Sequence, residues 1–330
     1  MSRLSLSIAV GDYDRTRGIL DGTVPIEGCD TIAMPFAPEE MFFRSLRHQA
    51  FDVSELSFSS TLVQISRGVS DYVAIPAFVS RSFRHNGIYV RRDGPIKRPE
   101  DLRGKRFGVP EYQVTAAVWV RQMLAVDHGV NPEDVDWVTG GVEDAGRREK
   151  LKIDLGPTIR IGPAPEGRAL GEMLVAGEID ALTCPRPPLC FADPTAGIVR
   201  LFPEPAAAAA AYFGRHRVFP IMHLVGIRKA LATQHPWLPQ SVFKAFEEAR
   251  RRAVARLDDT NALAVSLPFL VEEAQRTRDL MGPVPWSYGV EANLATIETL
   301  LDHHHRQGLS ARRLTVEEVF HPSTFEAFKV

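Results

Sequence analysis

The sequence predicts an α/β protein of two lobes with a ligand cleft between them. The chain has 330 residues, and a domain typically spans roughly 100–200 residues. Short runs rich in β-forming residues alternate with amphipathic stretches, which is typical of α/β domains. Two long predicted strands, 85–91 and 218–227, flank a self-contained α/β segment. We therefore expect the chain to leave one lobe and return to it through two crossover strands, with the ligand bound between the lobes.

These crossovers define the predicted domains. Residues 1–91 together with 218–330 are expected to form the first lobe and its C-terminal helices, and residues 92–217 the second lobe. Beyond the second crossover the pattern is mostly helical. One apolar stripe runs from Val242 to Leu257 with Arg and Glu on the opposite face, as expected for a helix that covers a core.

The individual elements follow from local patterns in chain order. β-rich runs predict strands at 4–10, 51–56, 72–78, 85–91, 106–110, 136–139, 179–183 and 219–227. Apolar residues at helical spacing, or strong helix formers, predict helices at 38–48, 60–67, 113–128, 169–176, 206–211, 242–257, 263–281, 290–306 and 315–320. The turn pair Gly156-Pro157 predicts a hairpin within 150–161.

Composition excludes several classes of protein. The 39 Lys and Arg residues nearly balance 41 Asp and Glu residues, and no basic run stands out, which disfavours a nucleic-acid partner. No apolar run approaches the roughly 20 residues that span a bilayer, and Asp12 and Asp14 interrupt the N-terminal region where a signal peptide would still be apolar. The three cysteines form no CxxC pair. We expect a cytoplasmic protein with no membrane partner.

Missing motifs point to chemistry without a cofactor. The chain has no GxGxxG, GxxxxGK[ST], HExxH or GxSxG motif and no Cys/His set with zinc spacing. Neighbouring residues of a helix point about 100° apart, so His303-His304-His305 predicts a solvated helix end rather than a metal site. No metal or other cofactor is expected, although a loosely held divalent ion would leave no spacing signature.

Longer strings carry a family resemblance. Residues 100–110 (EDLRGKRFGVP) and 177–181 (GEIDA) resemble parts of the second lobe of type 2 periplasmic-binding-protein folds. More specific strings resemble the 4,5-dihydroxyphthalate decarboxylase family, and they lie at 51–57 (FDVSELS), 80–85 (SRSFRH), 110–117 (PEYQVTAA), 219–223 (FPIMH) and 288–293 (YGVEAN). The resemblance implies a carboxy-lyase of aromatic degradation, in phthalate catabolism, which releases CO2 from a hydroxylated aromatic dicarboxylate.

The segment 284–294 departs from the family pattern. Leu294 stands where the family has Arg, and the run 284–288 lacks the acidic residue and the Trp-Pro-Tyr order expected there. Because a cation and an acid are lost in this segment, we expect that the reaction class is retained and that the substrate could be a different aromatic acid.

The reaction requires a proton for the ring carbon that loses its carboxylate. His223 is the first candidate for the general acid and His85 the second, because both lie on predicted crossover strands and histidine titrates near neutral pH. The alternative for His223, inside an apolar run, is a core residue. Asp12, Glu55 and Glu111 are alternative acids if burial raises a pKa.

Anchors for the carboxylates are expected from arginines that follow strands. Arg81, Arg15 and Arg186 each follow a predicted strand, and guanidinium pairs bidentately with carboxylate. The alternative is an ordinary surface arginine. The turn before the helix 113–128 offers free N–H groups and the positive end of the helix dipole, so the candidate contacts there are Glu111, Tyr112, Gln113 and Thr115.

Further contacts to the substrate are predicted from hydroxyl groups. Ser57 ends the second strand and could instead cap the next helix, and Ser80 lies in the family string 80–85. Tyr13, Tyr112 and Tyr288 could hydrogen-bond the ring hydroxyls or stack on the ring.

Two other functions stay open at the level of sequence. The fold is shared with transport receptors, so a non-catalytic binding protein or sensor for a small carboxylate is the main alternative. The second is an enzyme whose altered segment 284–294 selects a different hydroxybenzoate. In each case the partner is a small aromatic carboxylate, and the sequence leaves open whether copies of the chain form a homo-oligomer.

Overall fold

The structure is a computed structural model that describes residues 3–146, 151 and 153–325. The chain divides into two compact units. Unit 1 comprises Met1–Arg81, Ile221–Glu298 and Thr315–Val330. Unit 2 comprises Ser82–Pro220 and Thr299–Leu314.

Strands are found in both units. In chain order they are β1 (Leu4–Val10), β2 (Cys29–Pro35), β3 (Val53–Ser57), β4 (Tyr72–Arg81), β5 (Ile88–Arg91), β6 (Arg106–Val109), β7 (Asp136–Thr139), β8 (Ile161–Pro163), β9 (Ala181–Thr183), β10 (Ile198–Arg200) and β11 (Ile221–Arg228).

Helices connect the strands and dominate the C-terminal third. In chain order they are α1 (Asp14–Leu20), α2 (Pro38–His48), α3 (Phe58–Ser66), α4 (Thr115–His128), α5 (Leu170–Ala176), α6 (Leu189–Ala192), α7 (Pro205–His216), α8 (Lys229–Gln234), α9 (Leu238–Ala255), α10 (Leu270–Met281), α11 (Leu294–Arg306) and α12 (Val316–Val319). No helix in the described part of the chain has both the length and the apolar character needed to cross a membrane.

The sheet of unit 1 has the order β2-β1-β3-β11-β4. Strands β1, β2 and β3 run parallel, while β11 is antiparallel to both of its neighbours, β3 and β4. In this register His223 lies opposite Ser57 on one side and Ser80 on the other. A late segment of the chain therefore sits in the middle of a sheet otherwise built from the first 81 residues.

The sheet of unit 2 has the order β10-β5-β9-β6-β7-β8. Its β6, β7, β8 and β9 strands are parallel, and β5 runs antiparallel to β9 and β10. A buried cluster that includes Tyr89, Leu170, Leu174 and Leu182 forms part of its core. Burial of such side chains, at about 25 cal/mol per Å² of apolar surface, is the main force that holds a unit of this size together.

Several predictions of elements are confirmed and others are wrong. The strand 4–10 and the helix 38–48 have the predicted bounds. Strand β2 and helix α1 were not predicted, because β2 is a partly exposed edge strand and α1 has only seven residues. The hairpin expected within 150–161 is not formed by the described residues, since β8 pairs in parallel with β7. Lys150 and Lys152 lie outside the described residues.

The unit boundaries differ from the predicted lobes. Strand β5, placed in the first lobe by the sequence, belongs to unit 2 because it pairs with β9 and β10. Residues 299–314, also expected in the first lobe, belong to unit 2 as well. The sequence pattern cannot reveal this because strand partners, rather than strand length, decide to which sheet a strand belongs.

Gly226 tests the packing of the central strand β11. A Cβ atom there would overlap Leu56 Cδ1 and lie 3.2 Å from Tyr72 Cβ. We expect Gly226→Ala to lower the free energy of unfolding by about 1–3 kcal/mol, because a packed core cannot absorb an added methyl group. Gly214→Ala is the control, since a Cβ there meets nothing within 4 Å and alanine favours the helix by about 0.5–1 kcal/mol. Urea denaturation measures both variants, and an unchanged midpoint for Gly226→Ala would contradict the packing argument.

Candidate active site

A buried carboxylate forms the centre of a polar cluster in unit 1. The side chain of Glu55 has no exposed surface. Its Oε2 atom accepts a hydrogen bond from the Gly11 amide at 2.8 Å. Its Oε1 atom lies 2.6 Å from His223 Nδ1 and accepts the Tyr13 hydroxyl at 3.1 Å. Three groups thus solvate a charge that water does not reach, as a buried carboxylate requires.

Strand pairing explains why these residues meet. On the antiparallel pair β3–β11, Glu55 lies opposite Val225, and His223 is two residues away along β11. Side chains two residues apart point to the same face of a sheet, so His223 is a diagonal neighbour of Glu55. Strand β1 is parallel to β3. Gly11 and Tyr13, which follow the end of β1, therefore lie at the same end of the sheet as the end of β3.

The hydrogen bond fixes the orientation of the imidazole. When the Glu55 carboxyl group is ionised it only accepts hydrogen bonds, and Nδ1 is then the donor. Nε2 has no hydrogen-bond partner among the described residues, and the side chain of His223 is 17% exposed. The Phe42 ring packs against the imidazole edge-on with ring centroids 4.8 Å apart. His223 is thus a held imidazole with one nitrogen available, rather than a core residue.

Arg15 lies beside the same cluster. Its guanidinium is 4.4 Å from the centre of the Tyr13 ring and 4.1 Å from the centre of the Trp286 ring. Its Nε donates to the Val79 carbonyl at 2.6 Å, and its Nη1 lies 2.9 Å from Asp14 Oδ1. The predicted carboxylate anchor is therefore held in place by two aromatic faces and a backbone carbonyl.

Arg81 is buried at the end of β4. Its Nη1 donates to Asn293 Oδ1 at 2.8 Å and to the Ser287 carbonyl at 3.1 Å. Burial lowers the pKa of Arg81 to about 9. A desolvated guanidinium gains more from an anion than an exposed one does, which supports the predicted carboxylate contact.

Tyr288 carries a buried hydroxyl. The residue is 6% exposed, and its Oη has no hydrogen-bond partner among the described residues. Burial raises the pKa of Tyr288, with smaller effects from Arg15, Arg250, Glu247 and Glu55. The hydroxyl therefore stays neutral at physiological pH and can both donate and accept.

The two predicted serines flank His223 in the sheet. Ser57 and Ser80 occupy the positions opposite His223 on β3 and β4. Ser57 precedes α3 at the N-cap position, but its side chain makes no capping hydrogen bond. The capping alternative for Ser57 is therefore wrong. Both hydroxyls remain candidates for substrate contact.

The other predicted residues form a separate group in unit 2. Gln113 Nε2 donates to Glu111 Oε2 at 2.7 Å, and both residues are buried with Thr115 at the start of α4. Tyr112 is fully buried, with the Arg121 guanidinium 3.7 Å above its ring. Tyr112 is therefore a packing partner of Arg121, which argues against a role in stacking on the substrate.

Two predicted alternatives for the acid have unsuitable surroundings. His85 is buried in unit 2 between the rings of Phe202 and Tyr212, with centroids 5.2 and 5.5 Å away. Burial lowers the pKa of His85 to about 4, so the ring is neutral at pH 7 and has no acidic proton to give. Asp12 is half-exposed, and its Oδ1 lies 2.6 Å from Arg17 Nη2, so this carboxyl group is engaged in a surface ion pair.

Sequence reasoning missed three residues of the unit 1 cluster and gave a fourth another role. Trp286, Asn293 and Phe42 contact the predicted residues Arg15, Arg81 and His223. No motif marks Trp286 or Phe42, and Asn293 ends the family string 288–293 but was not singled out as a site residue. Glu55 was considered as an acid, and the structure makes it the partner of His223. Arg186 is exposed after β9. In the described ranges no group of three or more His, Cys, Asp and Glu side chains could hold a metal ion.

Comparison with known proteins defines the class first. A family model described as NMT1/THI5 like matches residues 59–186. The aliphatic sulphonate binding protein SsuA from Escherichia coli superposes with a TM-score of 0.55 at 15% identity, covering 98% of this chain and 99% of that one. The alkanesulfonate-binding protein SsuA from Xanthomonas axonopodis pv. citri gives 0.53 at 14% identity, with coverage of 97% and 98%. The fold is therefore that of periplasmic-binding-protein-like α/β proteins.

Sequence relatives then identify the family. The 4,5-dihydroxyphthalate decarboxylase of Comamonas testosteroni is 48% identical over 330 residues, which is the whole of both chains. The 4,5-dihydroxyphthalate decarboxylase of Pseudomonas putida is 48% identical over 213 residues, which is 64% of this chain and 83% of that one. The chain belongs to the 4,5-dihydroxyphthalate decarboxylase family.

The buried hydroxyl of Tyr288 leads to a paired prediction on stability. We expect Tyr288→Phe to leave the free energy of unfolding unchanged or slightly higher, because no hydrogen bond to a described residue is lost. Tyr72→Phe is the matched variant, because Tyr72 Oη donates to the Phe51 carbonyl at 2.7 Å. That loss is expected to cost about 0.5–1.5 kcal/mol. Thermal and urea unfolding test the pair, and an equal loss in both would show that Tyr288 Oη has a partner.

The neutral His85 predicts a dependence of stability on pH. Its pKa of about 4 in the folded chain is below the ordinary value of 6.5. Between these two pH values the unfolded chain therefore binds a proton that the folded chain does not bind. The free energy of unfolding should therefore fall as the pH drops from about 6.5 to about 4. His85→Phe is expected to flatten this slope, while His48→Phe, at an exposed position on α2, should not. Unfolding curves measured at several pH values in this range test the prediction. Equal slopes of the free energy of unfolding against pH in wild type and His85→Phe would refute it.

Proposed function

We propose that the protein is a carboxy-lyase that converts 4,5-dihydroxyphthalate to protocatechuate and CO2, with His223 as the proton donor. The observation that carries this proposal is the pair of His223 and buried Glu55 in a chain 48% identical over its full length to a decarboxylase of this name. A fixed imidazole with one nitrogen available is the group that protonation of a ring carbon requires.

The reaction balances with a single proton. The Nε2–H bond of the His223 imidazolium breaks as a C–H bond forms at the ring carbon that bears the departing carboxylate. The hydroxyl para to this carbon shares the positive charge that develops on the ring. The bond to the carboxylate then breaks, its electron pair restores the aromatic ring, and CO2 leaves. Solvent returns the proton to His223, and Glu55 stabilises the imidazolium before each transfer.

The arginines of unit 1 are the proposed anchors. Arg15 and Arg81 would each pair with one carboxylate of the substrate, which fixes the ring against His223. Tyr13, Ser57, Ser80 and Tyr288 are the proposed contacts to the ring hydroxyls. Four residues of unit 2 are further proposed contacts to the substrate: Glu111, Gln113, Thr115 and Arg186. We also propose that the enzyme is located in the cytoplasm. Whether the enzyme works as a homo-oligomer is left for a solution measurement of mass.

The activity is tested on purified protein treated with a chelator. CO2 release from 4,5-dihydroxyphthalate is measured while absorbance follows protocatechuate. Turnover at one CO2 per protocatechuate supports the proposal and shows that no added metal is needed. Binding of the substrate in a calorimeter without CO2 release would favour the receptor alternative. Turnover of another hydroxylated aromatic acid alone would favour a shifted substrate.

The assigned acid gives a prediction on kinetics. We expect His223→Gln to lower kcat by about 10²–10⁴-fold, the usual contribution of a general acid, with a smaller change in KM. Glu55→Gln should also lower kcat, by about 10²-fold or more, because the imidazole loses its fixed orientation and its counter-charge.

A similar pair elsewhere in the chain is the control. His216 Nε2 lies 2.6 Å from Asp127 Oδ1 in unit 2, so His216→Gln removes a His–carboxylate hydrogen bond of the same length. Its kcat should remain close to that of wild type. Steady-state kinetics with 4,5-dihydroxyphthalate compare the three variants, and a His223→Gln enzyme with wild-type kcat would exclude His223 as the acid.

A further inference from the structure

We propose that Trp286 is a positioning residue that holds the Arg15 guanidinium for a substrate carboxylate. The inference rests on the proposed function, since it assigns how the same site binds an aromatic dicarboxylate. Trp286 matches no motif, and its contact with Arg15 is found only in the structure.

The Arg15 guanidinium packs against two aromatic rings. The Arg15 Cζ atom lies 4.1 Å from the centre of the Trp286 ring and 4.4 Å from the centre of the Tyr13 ring. Both distances fall well inside the roughly 6 Å range of cation–π attraction, for which tryptophan is the strongest partner. A planar guanidinium packed on aromatic rings is more restricted in orientation than an ammonium on a flexible stem.

Hydrogen bonds leave one edge of Arg15 for a ligand. Nε is bound to the Val79 carbonyl and Nη1 to Asp14. No described residue accepts a hydrogen bond from Nη2, and the side chain is 17% exposed. A carboxylate is the ligand that suits this charged donor edge.

Trp286 is itself fixed to the strand that holds Arg15. Its Nε1 donates to the Phe78 carbonyl at 2.9 Å, and the next carbonyl of β4, that of Val79, accepts from Arg15. The indole and the guanidinium are thus both hydrogen-bonded to neighbouring residues of β4, Phe78 and Val79. Arg81, the second proposed anchor, ends the same strand.

The segment that carries Trp286 also contacts the second proposed anchor. The order Trp286-Ser287-Tyr288 puts the indole against Arg15 and places the Ser287 carbonyl on Arg81 Nη1. The work of binding carboxylates in unit 1 then falls to Arg15 and Arg81, and the position of Arg15 depends on Trp286.

The test separates positioning from a general structural role. Steady-state kinetics with 4,5-dihydroxyphthalate are measured for Trp286→Leu, Trp286→Phe, Arg15→Gln and the double variant Trp286→Leu/Arg15→Gln. We expect Trp286→Leu to raise KM by about 3- to 30-fold, the range of a lost cation–π contact, with kcat changed by less than KM. Trp286→Phe should recover most of the loss, and the double variant should match Arg15→Gln alone. Trp237→Leu is the control, since Trp237 is a half-exposed tryptophan of unit 1 that packs against His235.

Calorimetry with phthalate distinguishes this inference from the proposed function. Phthalate carries both carboxylates but no ring hydroxyl, so its binding does not require turnover. Weaker phthalate binding by Trp286→Leu in a protein that releases no CO2 would support the inference and reject the function. The inference would be overturned if Trp286→Leu kept the KM and the phthalate affinity of the wild type. It would also be overturned if the increases in KM of the two single variants added in the double variant. A wild-type chain that neither binds phthalate nor releases CO2 would overturn both.

Discussion

A carboxylate that water cannot reach has to be solvated by the protein, and Glu55 imposes this demand on unit 1. The Gly11 amide, the Tyr13 hydroxyl and the His223 imidazole meet it together. They come from positions 44, 42 and 168 residues away from Glu55 in the chain. Loss of any one leaves part of a buried charge without a partner, which costs far more than a surface ion pair contributes. The strands that carry these groups are therefore tied to one register.

The same demand joins the proposed proton donor, His223, to the proposed carboxylate anchor, Arg15. Tyr13 donates its hydroxyl to Glu55 and presents its ring to Arg15, so one side chain touches both halves of the site. Trp286 also packs against the Arg15 guanidinium. A ring held by its carboxylates would then meet His223 in a fixed orientation, which is where most of the advantage of such a site lies. The chemistry needs little else, because a para hydroxyl makes the ring carbon basic.

Local patterns predicted much of the fold, but not the pairings that build the site. Strand 4–10 and helix 38–48 follow from periodicity, and His223 was recognised as a candidate acid. Its partner could not be identified, because Glu55 and His223 lie 168 residues apart and meet only through the register of two antiparallel strands. His304 failed for a similar reason. It was expected on a solvated helix end, yet it is buried beside Ser310, and only tertiary packing reveals that face.

The position of β11 has a consequence for how the chain is made. Among the described strands, β4 pairs only with β11, which spans Ile221–Arg228. A ribosome adds about 5–20 residues per second, so β4 waits on the order of ten seconds for its partner. During that interval the Ser82–Pro220 part of unit 2 is synthesised, and its remaining segment, Thr299–Leu314, comes only after β11, while an apolar strand of unit 1 has an unpaired edge. The nascent chain is most exposed to misassociation at this stage, and a chaperone would have its greatest effect there.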